Sequence, residues 1–345
     1  MAEITTQEFS KYFGRFVTLD IRFYWKDNLS GTQLLEDKSK RITLKHNNEN
    51  NVRIAFNVEK YPNANNKGAG IAHIMVYNLA NDTMELINKD DKTIVKKVRL
   101  TAGNGSEKNE QLIFDGTINT SYVRYIDTDL VQHLWCFTYD SKKETSKSVE
   151  KNYLNQTLAS VLNDYLPQVN LKLDTTQLSN NAKTIMNTNK VAGIFLKNAY
   201  DLSKKASEIL NAKVVIEDGI FKMVSLDVDI ENEYLYPKDS FKRVNRSNGL
   251  IQSPTVLDVG LELNMILRGD IQMFDKVFVE SPYADYNLTS AQFTDVTKKI
   301  DARYTYSDYK GFYNKGFAYY VTHQGDTHEN LWKTTIRTIT NQGFK

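Results

Sequence analysis

Hydrophobic and polar positions alternate in short runs through the first 140 residues. In FVTLDIRFYW, residues 16–25, Phe16, Thr18, Asp20 and Arg22 alternate with Val17, Leu19, Ile21 and Phe23, the period-two pattern of a half-buried strand. After a polar break at Ser30, Gly31 and Thr32, SKRITLKHN alternates again through Ile42 and Leu44. NVRIAFNVEK places Val52, Ile54, Phe56 and Val58 on one face, and IAHIMVYNL follows after YPNANNKGAG, which predicts a hairpin with a long loop. NDTMELINK then predicts a short helix capped by Asn81 or Asp82. VKKVRLTAG, EQLIFDGTIN, SYVRYID and VQHLWCFTYD follow at spacings of roughly 8 to 12 residues, the rhythm of an all-β sandwich or barrel.

The texture changes after SKKETSKSVEKN, residues 141–152, a polar and charged run that reads as a linker. Leu154, Leu158, Val161, Leu162 and Leu166 recur at helical spacing up to Pro167, and VNLKLD reads as a short strand. A second helix is predicted from about Asn198 to Leu210, with Leu202, Ala206, Ile209 and Leu210 on one face. KVVIEDGIFKMVSL is a hairpin turning on Asp218-Gly219, a pair suited to a type I′ turn. After Pro237 the β pattern returns in NGLIQSPTVLDVGLELNMILRGD, where Val256, Val259, Leu261, Leu263, Met265 and Leu267 alternate with one break near Val259 and Gly260, read as a bulge. KVFVES and a closing hairpin, KGFAYYVTHQGD with LWKTTIRTI, complete the chain. The expected fold is mainly β with an α+β insertion, divided into residues 1–140, 141–237 and 238–345. No short-period repeat is present, which disfavours a solenoid or propeller.

Composition narrows the function. The chain has 345 residues, long enough for several cores without disulfides or metals. Its 44 basic and 42 acidic side chains leave a net charge of +2, too small a field to draw the protein to nucleic acid through a basic patch. No run approaches the roughly 18 apolar residues of a membrane span, and MAEITTQEFSKYFG lacks the apolar core of a secretory signal. These features predict a protein made and used in a cytosol, without membrane insertion. The single cysteine, Cys136, excludes an internal disulfide or a Cys-based zinc site, and its apolar surroundings predict burial. Twenty tyrosines and sixteen phenylalanines against five prolines favour strands.

Candidate chemistry is sparse. Of His46, His73, His133, His323 and His328, only the last two are close in sequence, in HQGDTHE beside Asp326 and Glu329. That group can be drawn as a metal site, but Gly, Asp, Thr and Asn are turn and cap residues, so HQGDTHEN reads as the loop of the closing hairpin. The G-x-S-x-G, G-x-x-x-x-G-K-[ST] and G-x-G-x-x-G patterns are absent. The glycines of KGAGIAH and AGNGSEK read as turns, and nothing singles out a carboxylate pair among 42 acids. RFYW, residues 22–25, reads as core packing plus surface. RYTYSDYKGFY, residues 303–313, lacks periodicity and reads as an interface loop. The expectation is a non-enzymatic protein with no catalytic residue, no metal ligand and no cofactor.

Three stretches resemble one family. NVRIAFNVEK with its Pro-Asn turn, IAHIMVYNLANDT, VRLTAGN and LIFDGTI form the first, and NGLIQSPTVLDVGLELNMILRGDIQMFDKVFVES the second. The third is AYYVTHQGDTHENLWKTTIRTI, with His323, Gly325, Asp326, Thr327, Trp332 and Thr334 in pattern. In this order and spacing they resemble the baseplate hub proteins of tailed phages, especially the small hub proteins of contractile-tail phages. The likeness covers both β regions, about two thirds of the chain. One departure is LRGDIQMF, residues 267–274, where the family usually carries a proline.

The resemblance implies two tail-tube-like β-barrel domains flanking the small mixed domain. It further implies a homotrimeric, pseudo-six-fold ring in the virion's tail baseplate, assembled in the host cytoplasm. One face would meet the tail tube or an adjacent baseplate ring protein, and the other the central spike protein. The tape-measure protein is a further implied partner, and DNA only a passing cargo of the channel. The alternatives are a tail-associated cell-wall hydrolase or carbohydrate-binding module, and the hub of a bacterial contractile injection system. For a hydrolase the 150–235 insertion is the spare region, and it contains neither histidine nor cysteine.

Overall fold

The computed structural model describes residues 14–26, 34–62, 70–139, 150–191, 193–225, 241–257, 260–281, 285–286 and 315–339. In the first β region the alternating runs become β1 (Arg15–Lys26), β2 (Leu34–His46), β3 (Ile54–Lys60) and β4 (Gly70–Tyr77). Helix α1 (Asn81–Asn88) precedes β5 (Ile94–Asn104), β6 (Gln111–Ile126) and β7 (Asp129–Phe137). Two predicted strands, EQLIFDGTIN and SYVRYID, are one 16-residue strand whose register slips between Ile118 and Thr120. Helix α1 is where predicted, but Ala80 occupies its N-cap and makes no side-chain cap bond.

The middle region carries β8 (Lys151–Tyr153), β9 (Gln156–Thr157), α2 (Leu158–Gln168), β10 (Lys172–Gln177), α3 (Asn180–Thr188), β11 (Lys190–Val191) and β12 (Ile194–Leu196). It closes with α4 (Ala199–Leu210) and the hairpin of β13 (Ala212–Glu217) and β14 (Ile220–Ser225). Thr157 caps α2 and Asn198 caps α4, the latter accepting from the Tyr200 and Asp201 N–H groups. Asp218 (φ +50°) and Gly219 (φ +78°) both adopt positive φ, as a type I′ turn requires. Of the polar run 141–152, residues up to 149 lie outside the described residues, and the last two enter β8.

The second β region contains β15 (Lys242–Val244), β16 (Thr255–Leu257), β17 (Gly260–Ile266), β18 (Lys276–Val279), β19 (Asp285–Tyr286), β20 (Lys315–Asp326) and β21 (Trp332–Ile339). The break in alternation near Gly260 is not a bulge. Leu257 pairs with Gly260, so the chain reverses there and β16 and β17 form an antiparallel hairpin. No helix among the described residues is long and apolar enough to cross a membrane.

The β regions do not form two separate closed barrels. Among the described residues they build one 14-stranded sheet in the order β19-β16-β17-β21-β20-β3-β4-β7-β6-β5-β1-β2, with β18 and β15 branching from β20. The join is the antiparallel ladder from Val321–Lys60 to Asp326–Ala55, which carries the sheet from the last strands of the chain into β3. The ends, β2 and β19, do not pair with each other. The sheet instead curls over its own apolar face: Leu19, Ile21, Ile54, Ile74, Leu100 and Phe114 pack into one core with Leu267 and Trp332 from the other end of the chain. Each fully buried side chain of this size contributes about 1.5–3 kcal/mol relative to exposure, so the curl needs no ladder across the seam. Polar contacts line that seam, with Trp332 Nε1 donating to Asn104 Oδ1 (2.5 Å) and Gly269 N to Gln111 Oε1 (2.8 Å).

Candidate functional site

The three regions converge on one buried cation. Lys60 ends β3, opposite Val321 of β20 and Gly70 of β4, so its side chain leaves the sheet at the junction of the two β regions. It is fully buried. Its Nζ lies 2.9 Å from Glu217 Oε1 and 2.9 Å from Asp218 Oδ2, both at the β13–β14 turn, and donates to Gln272 Oε1 at 2.8 Å. Asp218 Oδ1 also accepts from the Asp115 N–H of β6 at 2.9 Å. The type I′ turn thus places two successive carboxylates on one ammonium while its tip is tied to the first β region.

The charges respond to the site in opposite ways. Burial alone would lower the Lys60 ammonium, but Asp218 and Glu217 outweigh it and hold the group above its ordinary range. Burial dominates at Asp218 and pushes its carboxyl up to about 6 despite Lys60. The node is two acids sharing one base.

The β13–β14 hairpin is clamped at further points. Lys222 Nζ donates to Met273 O at 2.6 Å and pairs with Asp275 at 3.3 Å. Thr138 Oγ1 accepts from Gly70 N and donates to Ile216 O, 3.1 and 3.4 Å away. Val215 and Val224 pack into the core of the second β region, while Ile216, Phe221 and Met223 belong to the core around α2 and α4. One hairpin serves two cores.

The HQGDTHE motif divides differently from its expected loop. His323, Gln324, Gly325 and Asp326 belong to β20, and the turn begins at Thr327. His323 is fully buried and shares a hydrogen bond with Thr334 Oγ1 at 2.9 Å. Burial, reinforced by Lys60, holds its pKa well below the ordinary histidine range, so it is neutral. His328 lies in the turn, against Thr327 Oγ1 and edge-on to His46. The acids of the motif are held by arginines: Arg53 reaches Asp326 at 2.9 Å and Glu329 at 2.6 Å, and Arg15 donates to the Asp326 and Glu329 carbonyls. Burial pushes the Asp326 carboxyl up, but the Arg53 hydrogen bond and the His328 N–H outweigh it and hold it low. The motif fastens the end of β20 to β3 and to the start of β1.

The fold also brings together His73 and His133, 60 residues apart. His73 faces Trp135 across β4 and β7, and Tyr122 faces His133 across β6 and β7. His73 Nε2 and His133 Nδ1 are 2.9 Å apart, with ring planes 10° apart and centroids 5.2 Å apart. That separation is the N···N contact plus both ring radii, so the rings lie edge to edge and share one proton. Trp135 stacks on His73 at 4.2 Å and Tyr122 on His133 at 4.8 Å. Burial lowers both histidine pKa values, as befits a neutral pair. In RFYW, Phe23 is buried and Trp25 exposed, its Nε1 donating to Asp37. The 303–313 aromatic stretch lies outside the described residues. Cys136 is buried, as expected.

No family model matches the sequence, and no curated protein matches it. Solved structures share its fold. A chain of the half-lidded Francisella PdpA–VgrG complex is similar over 97% of this chain, with a TM-score of 0.53 and 11% identity. The 43 kDa tail protein of prophage MuSo2 from Shewanella oneidensis is similar over 94% of this chain and 99% of its own, with a TM-score of 0.50 and 8% identity. This chain spans only 60% of the Francisella chain but nearly all of the Shewanella protein. The likeness to these two structures is one of fold.

Proposed function

We propose that this chain is a structural subunit of a phage tail baseplate hub. It forms a trimeric ring that joins the tail tube to the central spike and walls the channel through which DNA passes. The observation that carries this reading is the end-to-end likeness of fold to the Shewanella prophage tail protein, 94% of one chain on 99% of the other. The junction supports it: an adaptor between a tube and a spike must keep its parts in fixed relation, and Lys60 with the β13–β14 hairpin locks three regions into one body. In this reading the protein is not an enzyme and needs no cofactor. Its partners are its own copies, the spike protein, the tube or an adjacent ring protein, and the tape-measure protein.

Native mass measurement tests the ring. The expected species is about three times the 39.7 kDa chain mass, alone or on addition of the spike; a strict monomer under both conditions refutes the reading. Incubation with peptidoglycan is expected to leave it intact, and lysis abolished by replacing a single acid between 150 and 225 would establish a hydrolase instead. A second reading, the hub of a bacterial contractile injection system, is favoured by the likeness to a chain of the Francisella PdpA–VgrG complex. Cryo-electron microscopy of the assembled particle distinguishes the two.

A further inference from the structure

Of the five histidines, His323 is the most deeply buried, and it stands on the ladder that joins the two β regions. It lies opposite Val58 of β3 on one side and Thr334 of β21 on the other. Thr334 Oγ1 accepts from the Arg268 N–H at 2.9 Å, lies 3.2 Å from the Arg268 carbonyl oxygen and 2.9 Å from His323 Nδ1. A hydroxyl has one proton to give. It donates either to Arg268 O, with Nδ1–H donating to Oγ1, or to Nδ1 itself. In both arrangements the ring is neutral, and Nε2 is buried and meets no hydrogen-bonding group among the described residues. A protonated ring carries N–H on both nitrogens, so protonation in place would set a charged donor in the interior without an acceptor, the most unfavourable kind of burial.

The charges around the ring do not favour the imidazolium. Lys60 projects from the same face of β3 as Val58 and repels it, and the acids beside that ammonium, Glu217 and Asp218, are engaged by it. Arg268 brings a second cation, paired with Asp270 at 2.7 Å. Asp326 of β20, Glu59 of β3, and Lys333 and Arg337 of β21 alternate to the opposite face of the sheet. Further along the same row stand Ala72 of β4, Cys136 of β7 and Met265 of β17, a methyl, a buried thiol and a thioether. Burial, reinforced by Lys60, accordingly keeps the ring neutral through the ordinary histidine range.

We propose that His323 is an acid-sensitive latch on the join: the neutral ring lets β20 stay zipped to β3, and the ring takes a proton only as the two strands part, so acid opens the seam between the β regions. A ring freed by opening titrates at the ordinary histidine value of about 6.5 while the closed form does not, so the opening equilibrium gains a factor of about ten for each pH unit below that value. Between pH 7.5 and 5.0 the gain is about 30-fold. Asp218 acts in the opposite sense at the same seam, because its raised carboxyl takes up a proton in the closed form over this range. The histidine is therefore isolated by comparing two proteins that share Asp218.

Hydrogen exchange read by mass spectrometry tests it, on the wild type and on His323→Asn, which keeps an amide beside Thr334 and cannot take up a proton. Exchange rates corrected for their intrinsic pH dependence give the opening equilibrium of β3 and β20 at pH 7.5, 6.0 and 5.0. The ratio of wild-type to variant opening is expected to rise about 30-fold from pH 7.5 to 5.0 in these two strands and to stay constant in α2 and α4. A ratio that stays constant in β3 and β20 overturns the latch. A ratio that rises equally in every strand and helix overturns it too, because His323 is then released only by unfolding of the whole chain. If the asparagine variant does not fold, His323→Gln takes its place. The Cε1–H resonance of His323 in the wild type needs no variant: a ring that stays neutral to pH 5.0 in the closed protein supports the latch, and one that titrates near the ordinary histidine value there overturns it.

Discussion

Lys60→Met is the most informative substitution. Methionine preserves the length and apolar volume of the side chain and deletes only the ammonium, leaving Glu217 and Asp218 buried beside each other with the Gln272 amide. Breaking a buried ion pair by removing one partner costs roughly 3–5 kcal/mol, because the remaining charge keeps its desolvation penalty. Part of that cost is avoidable. Asp218 already has its carboxyl pushed up to about 6 with Lys60 present, and without the cation it rises further. A folded-state pKa above that of the unfolded chain means that the folded protein holds a proton the unfolded chain has released. The stability tied to that proton is fully present below about pH 4 and is lost as pH rises through the folded value. The variant is therefore expected to be weakest relative to wild type at pH 7.5 and to recover on acidification to about pH 6, by about 1.4 kcal/mol per pH unit for one proton, below which wild-type Asp218 takes up its proton as well and the difference levels off.

Urea denaturation of both proteins at pH 7.5, 6.0 and 5.0, followed by tyrosine and tryptophan fluorescence, measures the difference. A deficit of several kcal/mol at pH 7.5 that shrinks at pH 5.0 is expected. A deficit that is small at pH 7.5, or that does not change with pH, refutes the argument that two buried carboxylates depend on this ammonium. Lys60→Met with Asp218→Asn separates charge from packing, since it removes one carboxylate along with the cation and is expected to lie closer to wild type at pH 7.5.

Further substitutions probe the frame around the junction. A Cβ on Gly260 would sit 1.9 Å from the Thr338 carbonyl oxygen, so Gly260→Ala must part β17 from β21; a loss of about 2 kcal/mol or more is expected in thermal denaturation. Gly219→Ala meets no atom within 4 Å but keeps φ +78°, so it costs only about 1 kcal/mol, the penalty of a left-handed backbone for alanine. Asn198→Ala leaves the Tyr200 and Asp201 N–H groups without their cap and is expected to cost roughly 0.5–2 kcal/mol, visible as faster hydrogen exchange in the first turn of α4.

Local patterns in the sequence were legible where local chemistry decides the structure. The alternation in FVTLDIRFYW places Val17, Leu19 and Ile21 inside because a strand has only two faces, and Asp218-Gly219 turns as I′ because few other pairs tolerate two positive φ values. Helix α3 has a weak sequence signal because NNAKTIMNT offers only Ala182, Ile185 and Met186 as an apolar stripe, and its packing against the core supplies the rest. The pattern divides β6 into two strands because its polar centre, Asn119 to Ser121, looks like a turn when its neighbour β7 is unknown. The junction itself was invisible. Nothing near Lys60 in sequence distinguishes it from the other lysines, and its carboxylates lie some 157 residues away, brought over by a hairpin whose destination is set by long-range packing. The His73–His133 pair was hidden for the same reason: pairing depends on the register of β4 with β7, which alternation alone does not fix.

The continuous sheet changes what the middle region is expected to do. An insertion attached through linkers would unfold on its own, since its stability would come from its own contacts. Here β13–β14 places Val215 and Val224 in the core of the second β region, and its turn supplies both carboxylates around a lysine of the first. Separating the middle region would expose the apolar side chains of Val215 and Val224 and strand a buried cation, so its local opening costs nearly as much as opening the whole. Calorimetry is accordingly expected to show one transition in the wild type, with calorimetric and van't Hoff enthalpies in agreement. In Lys60→Met at pH 7.5 the middle region is expected to melt ahead of the sheet as a separate shoulder, which merges with the main peak at pH 5.0 as Asp218 takes its proton. Two well-separated transitions in the wild type would show that the node joins regions already independent, and the rigidity argument for an adaptor would fall with it.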